Sequence, residues 1–174
     1  GAIARFAPVM RAVTDLAEAG APVVGICNGF QVLCEARLLP GALQRNASQR
    51  FTARPVDIRI ERVDSAGTCA YRAGEVIRIP IAHGEGRYVA DADTLDGLES
   101  GHRVIFRYVP VAGSGLPHNP NGSLNDIAGI CNAAGNVIGL MPHPERLAEP
   151  ALGSDAGQRF FTSLTQWIET GVAA

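Results

Sequence analysis

A cysteine follows a short apolar run early in the chain, in VVGICNGFQ at residues 23–31. The β-branched residues before Cys27 are typical of a buried strand, and Phe30–Leu39 is typical of a helix. Gly25 and Gly29 would both relieve clashes in a tight strand-to-helix corner. Such a corner, a nucleophile elbow, forces its central residue into a sparsely populated backbone conformation. The pattern predicts a nucleophilic Cys27, whereas a small buried core residue is the alternative for a cysteine taken alone.

A cysteine nucleophile needs help at neutral pH, because a free thiol has a pKa of about 8.5. A helix that begins at Gly29 would point its positive end toward Cys27 and favour the thiolate. A nearby histidine would favour the thiolate further. The sequence therefore predicts a Cys27 thiol whose pKa is lowered.

The chain has four histidines from which a base could come. His102 and His118 lie in polar segments that are typical of the surface. His143 follows an apolar strand in GLMPHPER, and Glu145 comes two residues later. Because residues i and i+2 of an extended segment face the same side, Glu145 could accept a hydrogen bond from one imidazole nitrogen and leave the other facing Cys27. Taken alone, His143 and Glu145 could equally lie in a surface turn. Taken together with the elbow, they predict a Cys–His–Glu triad.

Other polar residues near the elbow could bind a substrate. The backbone N–H of Asn28 is a candidate oxyanion donor at the start of the helix, and Gly29 adjoins it. Gln31 lies one helical turn beyond Cys27 and could contact the substrate or be an ordinary exposed residue. His83, in AHGEGRY after an apolar strand, belongs to a pocket wall or to a loop that faces a partner, and the sequence leaves both open.

The composition excludes several classes of function. The 174 residues are 47% hydrophobic, which suits a single domain over 1–174, and the net charge of −2 gives no reason to expect nucleic acid or an anionic membrane as a partner. All 15 basic residues are arginine, so the chain has no Walker A lysine and no Schiff-base amine. The sequence has no 18-residue apolar stretch and no signal-peptide pattern, so we expect a cytoplasmic protein. The other cysteines, Cys34, Cys69 and Cys131, are interpreted as structural.

Helices at both ends with strands between them predict a three-layer α/β sandwich. We expect a mostly parallel sheet that carries the elbow, with an antiparallel portion formed by segments of alternating polarity. The predicted elements are a helix over Ile3–Ala19, strands over 56–63, 76–82 and 103–109, a loop over 110–126, a hairpin of 127–132 with 136–141, and a helix from Ser154 to Thr170 capped by Ser154. The first helix has no strand before it, which predicts that a first strand-helix region is missing.

The motifs G-I-C-N-G-F-Q and H-P-E resemble those of the class I (triad) glutamine amidotransferases, whose fold is flavodoxin-like. Four blocks are similar to the family of glutaminase subunits of phosphoribosylformylglycinamidine synthase, of de novo purine synthesis: GICNGFQVLCEARLLPGAL, PIAHGEGRY, NPNGSLNDIAGICN and GLMPHPER. The resemblance implies that Cys27 is the nucleophile and that His143 and Glu145 complete the triad. It implies hydrolysis of glutamine through a cysteinyl thioester and delivery of ammonia to a separate synthase subunit.

The resemblance also implies that this chain holds no cofactor, because ATP and Mg²⁺ belong to the synthase partner. It implies a hetero-oligomer with that subunit and a small accessory subunit, and no nucleic-acid or membrane partner. Members of the family carry a further N-terminal portion whose glycine-rich loop supplies a second oxyanion donor. Two alternatives remain: another thiol hydrolase of the same fold, such as a γ-glutamyl hydrolase or a cysteine peptidase relative, and a non-catalytic fragment that docks onto the synthase.

Overall fold

The computed structural model describes residues 3–111, 113 and 115–170. Its strands are β1 (Val23–Ile26), β2 (Ala42–Gln44), β3 (Thr52–Ile60), β4 (Val76–His83), β5 (Arg87–Val89), β6 (Val104–Val109), β7 (Ile127–Cys131) and β8 (Val137–Leu140). Its α-helices are α1 (Val9–Glu18), α2 (Asn28–Glu35), α3 (Ala92–Ser100) and α4 (Gln158–Glu169). Short 3₁₀ turns lie at Ala4–Phe6, Leu124–Asp126, Pro144–Leu147 and Pro150–Leu152.

Six strands form one sheet in the order β1-β8-β7-β6-β3-β4, and β2 pairs with β5 in a small second sheet. Within the described residues the only parallel pair is β1 with β8, while the other pairs of both sheets are antiparallel. The expectation of a mostly parallel sheet is corrected here. Parallel neighbours need long crossover connections, whereas β7 and β8 are joined by a tight turn and pair antiparallel, as the predicted hairpin requires.

Apolar side chains cover both faces of the large sheet, which confirms the three-layer α/β architecture. One core packs α2 and α3 against the sheet, with Phe30, Leu98 and Met141 buried in it. The other core lies on the opposite face, where Phe160 of α4 packs with Ile58 and other strand residues. The sheet is therefore buried on both sides, and the ends of its central strands are the places where polar side chains can meet.

Two terminal helices are shorter than the sequence predicts. Ala7 precedes a proline and is extended, with ψ 137°, so the chain forms a 3₁₀ turn and then α1 instead of one helix. Ser154 does not cap α4, because it pairs with Glu149 and its hydroxyl accepts a hydrogen bond from the N–H of Ala156. Gly157 is at the N-cap of α4 instead. Among the described helices, none has the length and apolar character needed to cross a bilayer.

Candidate active site

Cys27 joins β1 to α2 in a strained backbone conformation, with φ 53° and ψ −106°. A Cβ atom on Gly25 would lie 2.5 Å from the backbone carbon of Gly29, so only glycine fits at position 25. A Cβ atom on Gly29 would meet nothing within 4 Å, which corrects the expectation that both glycines relieve a clash. The geometry is that of a nucleophile elbow, with Cys27 at the turn between β1 and α2.

The Cys27 thiol lies half-buried at the end of β4, with its Sγ 3.9 Å from the carbonyl oxygen of Ala82. Burial raises the pKa of this thiol, and the nearby Glu145 carboxylate raises it further. The N–H of Asn28, hydrogen-bonded to the sulfur, and the Arg146 charge act in the opposite direction without overcoming the burial. The expectation of a lowered pKa is therefore wrong for this structure, because desolvation of the sulfur outweighs the positive end of α2.

His143 and Glu145 form a close pair in the turn after β8. Nδ1 of His143 lies 2.6 Å from Oε1 of Glu145, so the predicted contact is present. The backbone forms a 3₁₀ turn from Pro144, however, and not the extended segment from which the contact was predicted. His143 is buried, and its backbone N–H donates to the carbonyl oxygen of Pro80 at 2.9 Å. Its Nε2 is buried without a hydrogen-bond partner among the described residues. Because a carboxylate only accepts hydrogen bonds, Nδ1 is the nitrogen that donates to Glu145.

The parallel pairing of β1 with β8 brings the elbow and the histidine together at the carboxyl ends of these two strands. Ile26 lies opposite Leu140, and the N–H of Cys27 continues the register by donating to the oxygen of Leu140 at 2.8 Å. His143 follows Leu140 by three residues. Within the part of the chain that the structure describes, no hydrogen bond joins the sulfur to Nε2 of His143.

His83, at the end of β4, has its imidazole in the interior, which does not favour a loop that faces a partner. The residue is 3% exposed, and its Nδ1 lies 3.1 Å from Oδ1 of Asn46. Burial, and next the charge of the neighbouring His143, lower the pKa of His83 to about 4. Nε2 of His83 is also buried without a partner in the described structure. Glu85, two residues later, is exposed to solvent.

The remaining residues predicted to bind the oxyanion or the substrate do not share one site. Asn28 is exposed apart from its N–H at the sulfur, and Gly29 borders open space. Gln31 lines a cleft of about 550 Å³ along α2, which it shares with Arg5 and Glu35 and which does not include Cys27. Sequence reasoning missed Asn46, which touches His83, because the segment RNASQR carries no recognisable motif.

The other three cysteines lie away from the carboxyl ends of β1 and β8. Burial raises the pKa of Cys34 to about 12 and that of Cys131 to about 11, as befits inert core thiols. Cys69 is half-buried, and its sulfur lies 3.2 Å from the carbonyl oxygen of Ser163. Over residues 3–111, 113 and 115–170, the His, Cys, Asp and Glu side chains form no group of three that could hold a metal ion.

A family model for the CobB/CobQ-like glutamine amidotransferase domain matches residues 2–169. The chain belongs to this family. The chain is 54% identical over 165 residues to phosphoribosylformylglycinamidine synthase subunit PurQ of Chlorobaculum tepidum, covering 94% of this chain and 70% of that protein. It is 52% identical over 172 residues to the subunit of the same name from Moorella thermoacetica, covering 98% of this chain and 73% of that protein.

A chain of known structure is also similar over nearly the whole length of this chain. A chain in the structure of PurLQS from Thermotoga maritima superposes with a TM-score of 0.83 at 42% identity, over 97% of this chain and 72% of that chain. These matches confirm both the predicted α/β fold and the resemblance to glutamine amidotransferases.

Proposed function

We infer that this chain is the glutaminase subunit of phosphoribosylformylglycinamidine synthase. It hydrolyses the side-chain amide of glutamine and supplies ammonia to a separate synthase subunit in purine biosynthesis. The observation that carries this function is the identity of more than half of the residues to subunits of that name, extending over nearly the whole chain. The strained Cys27 beside the His143–Glu145 pair supplies the chemistry that such a glutaminase needs.

The reaction that we propose begins with a protonated thiol, because burial raises the pKa of Cys27. Nε2 of His143 takes the thiol proton, and the sulfur attacks the amide carbon of glutamine. The N–H of Asn28, which already points at the sulfur, stabilises the developing oxyanion, and such a donor is worth about 3 kcal/mol.

In the same proposal the carbon–nitrogen bond then breaks. His143 passes its proton to the departing ammonia, which leaves a glutamyl thioester on Cys27. A water molecule, deprotonated by the same Nε2, attacks the thioester. The carbon–sulfur bond then breaks, glutamate is released, and the sulfur takes the proton back from Nε2. Glu145 keeps the proton on Nδ1 through the 2.6 Å contact, so that Nε2 faces the reaction as a base in each half of the cycle.

The proposed partner is an ATP-dependent synthase subunit, together with a small accessory subunit. The similar chain from Thermotoga maritima was solved in PurLQS, which supports an assembly of this kind. We assign no cofactor to this chain, and ATP with Mg²⁺ belongs to the synthase subunit under the proposal. The absence of lysine from the sequence agrees with this division of labour. The cytoplasmic location stays a prediction.

Covalent labelling tests this function directly. The chain, assembled with its synthase subunit, is incubated with an electrophilic glutamine analogue, and the adduct is mapped by peptide mass. We expect one adduct, on Cys27, that free glutamine suppresses, and ammonia release that the synthase subunit stimulates. Labelling of Cys69 instead, or no labelling, would favour a non-catalytic docking role, and cleavage of peptides or of γ-glutamyl conjugates would favour another thiol hydrolase.

A further inference from the structure

Asn46 lies between β2 and β3 and is completely buried. Its side-chain Nδ2 donates to the carbonyl oxygens of His83 at 2.9 Å and Arg50 at 2.8 Å. Its backbone N–H donates to the oxygen of Gly84 at 2.9 Å, and its Oδ1 accepts from the N–H of Gly86 at 3.1 Å. One asparagine therefore holds most of the turn that follows β4.

The same contacts decide which imidazole nitrogen of His83 carries the proton. Both hydrogens of the Asn46 amide are donated to carbonyl oxygens, so its oxygen is left as an acceptor. Nδ1 of His83 lies 3.1 Å from this oxygen and has to donate a hydrogen to it. In a neutral imidazole the other nitrogen, Nε2, then has a free lone pair and no hydrogen. The lowered pKa of His83, about 4, keeps the ring neutral at physiological pH.

The free nitrogen is close to the candidate active site. Ala82, the residue before His83, has its carbonyl oxygen 3.9 Å from the sulfur of Cys27, and the charge of His143 acts on the His83 ring. Any side chain at Gly86 would overlap that ring, so the glycine leaves room for the imidazole. Nε2 is buried and has no partner among the described residues. A buried acceptor of this kind costs free energy until a donor reaches it.

A second asparagine, Asn121, also bonds to the same turn. Nδ2 of Asn121 donates to the oxygen of Gly86 at 2.7 Å and lies 3.3 Å from the hydroxyl of Tyr108. The carbonyl oxygen of Asn121 accepts from the N–H of Ala47, the residue after Asn46, at 2.9 Å. The turn thus has little freedom to let the ring rotate and satisfy Nε2 elsewhere.

We propose that Asn46 is a positioning residue, which holds His83 as a neutral imidazole whose Nε2 accepts a hydrogen bond from an N–H group of glutamine bound at Cys27. This inference rests on the proposed function. Glutamine suits the site because its side-chain amide and its α-ammonium group both bring N–H donors. An imidazole with a hydrogen on Nε2 would instead repel those groups, so the proton position set by Asn46 decides whether glutamine is held.

The substitution Asn46→Asp separates this role from a purely structural one. The new carboxylate can still accept from His83 and Gly86, but its negative charge favours the protonated ring and so puts a hydrogen on Nε2. In the assembly with the synthase subunit, we expect kcat/KM for glutamine to fall about tenfold at pH 6.5, mainly through KM, and to recover as the pH rises through the new His83 ionisation. His143, whose charge acts on the His83 ring, is the same in variant and parent.

Asn136 provides the matched control. It is also buried, and its Nδ2 donates to the carbonyl oxygens of Ala17 and Ala21, but it touches no histidine. Asn136→Asp should lower stability and leave the pH profile of kcat/KM unchanged. A loss in Asn46→Asp that is the same factor at every pH would overturn the proposal.

Nitrogen NMR of the parent protein shows which imidazole nitrogen of His83 carries the hydrogen, and it does not depend on an activity assay. With ¹⁵N-labelled histidine in the same assembly, we expect His83 to keep its hydrogen on Nδ1 and a bare Nε2 from pH 5 to pH 8. A hydrogen on Nε2, or a protonation near pH 6.5, would overturn the proposal even if Asn46→Asp failed to fold. Failure of the proposed function would appear separately, as an absence of ammonia release by the parent assembly.

Discussion

The backbone N–H of Cys27 donates to the carbonyl oxygen of Leu140 at 2.8 Å, which extends the parallel pairing of β1 and β8 to the last residue before α2. Because the two parallel strands leave the sheet in the same direction, the elbow that follows β1 lies next to the turn with His143 that follows β8. The register of these two short strands therefore positions Cys27 beside the turn that holds His143.

Replacing the candidate nucleophile should separate glutamine hydrolysis from ammonia use. In the assembled synthase, Cys27→Ala should lower ammonia release from glutamine by about 10⁴-fold or more, because no other atom at the elbow can form the thioester. Synthase turnover with added ammonium should be unchanged. Cys69→Ala is the control and should behave as the parent in both assays. Glutamine hydrolysis that survives in Cys27→Ala would refute the role of this sulfur.

The His143–Glu145 contact predicts an effect of replacing the carboxylate by an amide. In Glu145→Gln the amide N–H can donate to Nδ1, which moves the imidazole proton to Nε2 and removes the base that faces Cys27. We expect kcat for glutamine hydrolysis to fall about 10²–10⁴-fold. Glu149→Gln, an exposed residue close by, should leave kcat unaltered. A Glu145→Gln enzyme within a few-fold of the parent would show that this carboxylate does not orient the imidazole.

The two glycines that flank the elbow should differ in their tolerance of a methyl group. Gly25→Ala should lower the free energy of unfolding by about 1–3 kcal/mol, because its Cβ would overlap the backbone of Gly29. Gly29→Ala should keep the parent stability or gain up to about 1 kcal/mol, since Gly29 lies within α2 and its Cβ would face open space. Urea unfolding of the two variants checks this difference. Equal midpoints would contradict the packing at the elbow.

The buried His83 predicts a loss of stability in mild acid. Its pKa is about 4 in the folded chain and about 6.5 when unfolded, so between these values only the unfolded chain binds the proton. The free energy of unfolding should therefore fall as the pH drops from about 6.5 to about 4, with a contribution from this residue of about 1.4 kcal/mol per pH unit.

Denaturant unfolding at several pH values measures that slope. His83→Gln should flatten it in this window, whereas His118→Gln, a substitution in an exposed loop, should leave it in place. An unchanged slope in His83→Gln would mean that His83 is not held neutral by the fold.

Several features could be predicted because their signals are local. The glycine and cysteine spacing in GICNG indicates the elbow, and the proline-flanked His143 with Glu145 two residues later indicates their contact. The hairpin of β7 and β8 follows from two apolar segments around a short turn. The helix α3 was missed although Asp91 caps it by accepting from the N–H of Thr94, because its alternating polar residues weaken the apolar period.

The order and direction of the strands could not be predicted from local sequence signals. Parallel or antiparallel pairing depends on which strands become neighbours, and only the whole chain decides that. The lowered pKa expected for Cys27 was wrong for a related reason. The helix that favours the thiolate is visible in the sequence, but the burial that outweighs it comes from distant segments, including β4.

The amino-acid sequence alone supplied the reactive residue types and the local turns that expose them, since steric limits on neighbouring residues act over a few positions. The assembly of the site belongs to the tertiary structure. Segments that are far apart in the chain pack together and exclude water from the site. This packing desolvates the sulfur of Cys27, leaves Nε2 of His143 without a partner, and places Asn46 against His83. Burial is a property of the packed chain, and no short pattern of residues encodes it.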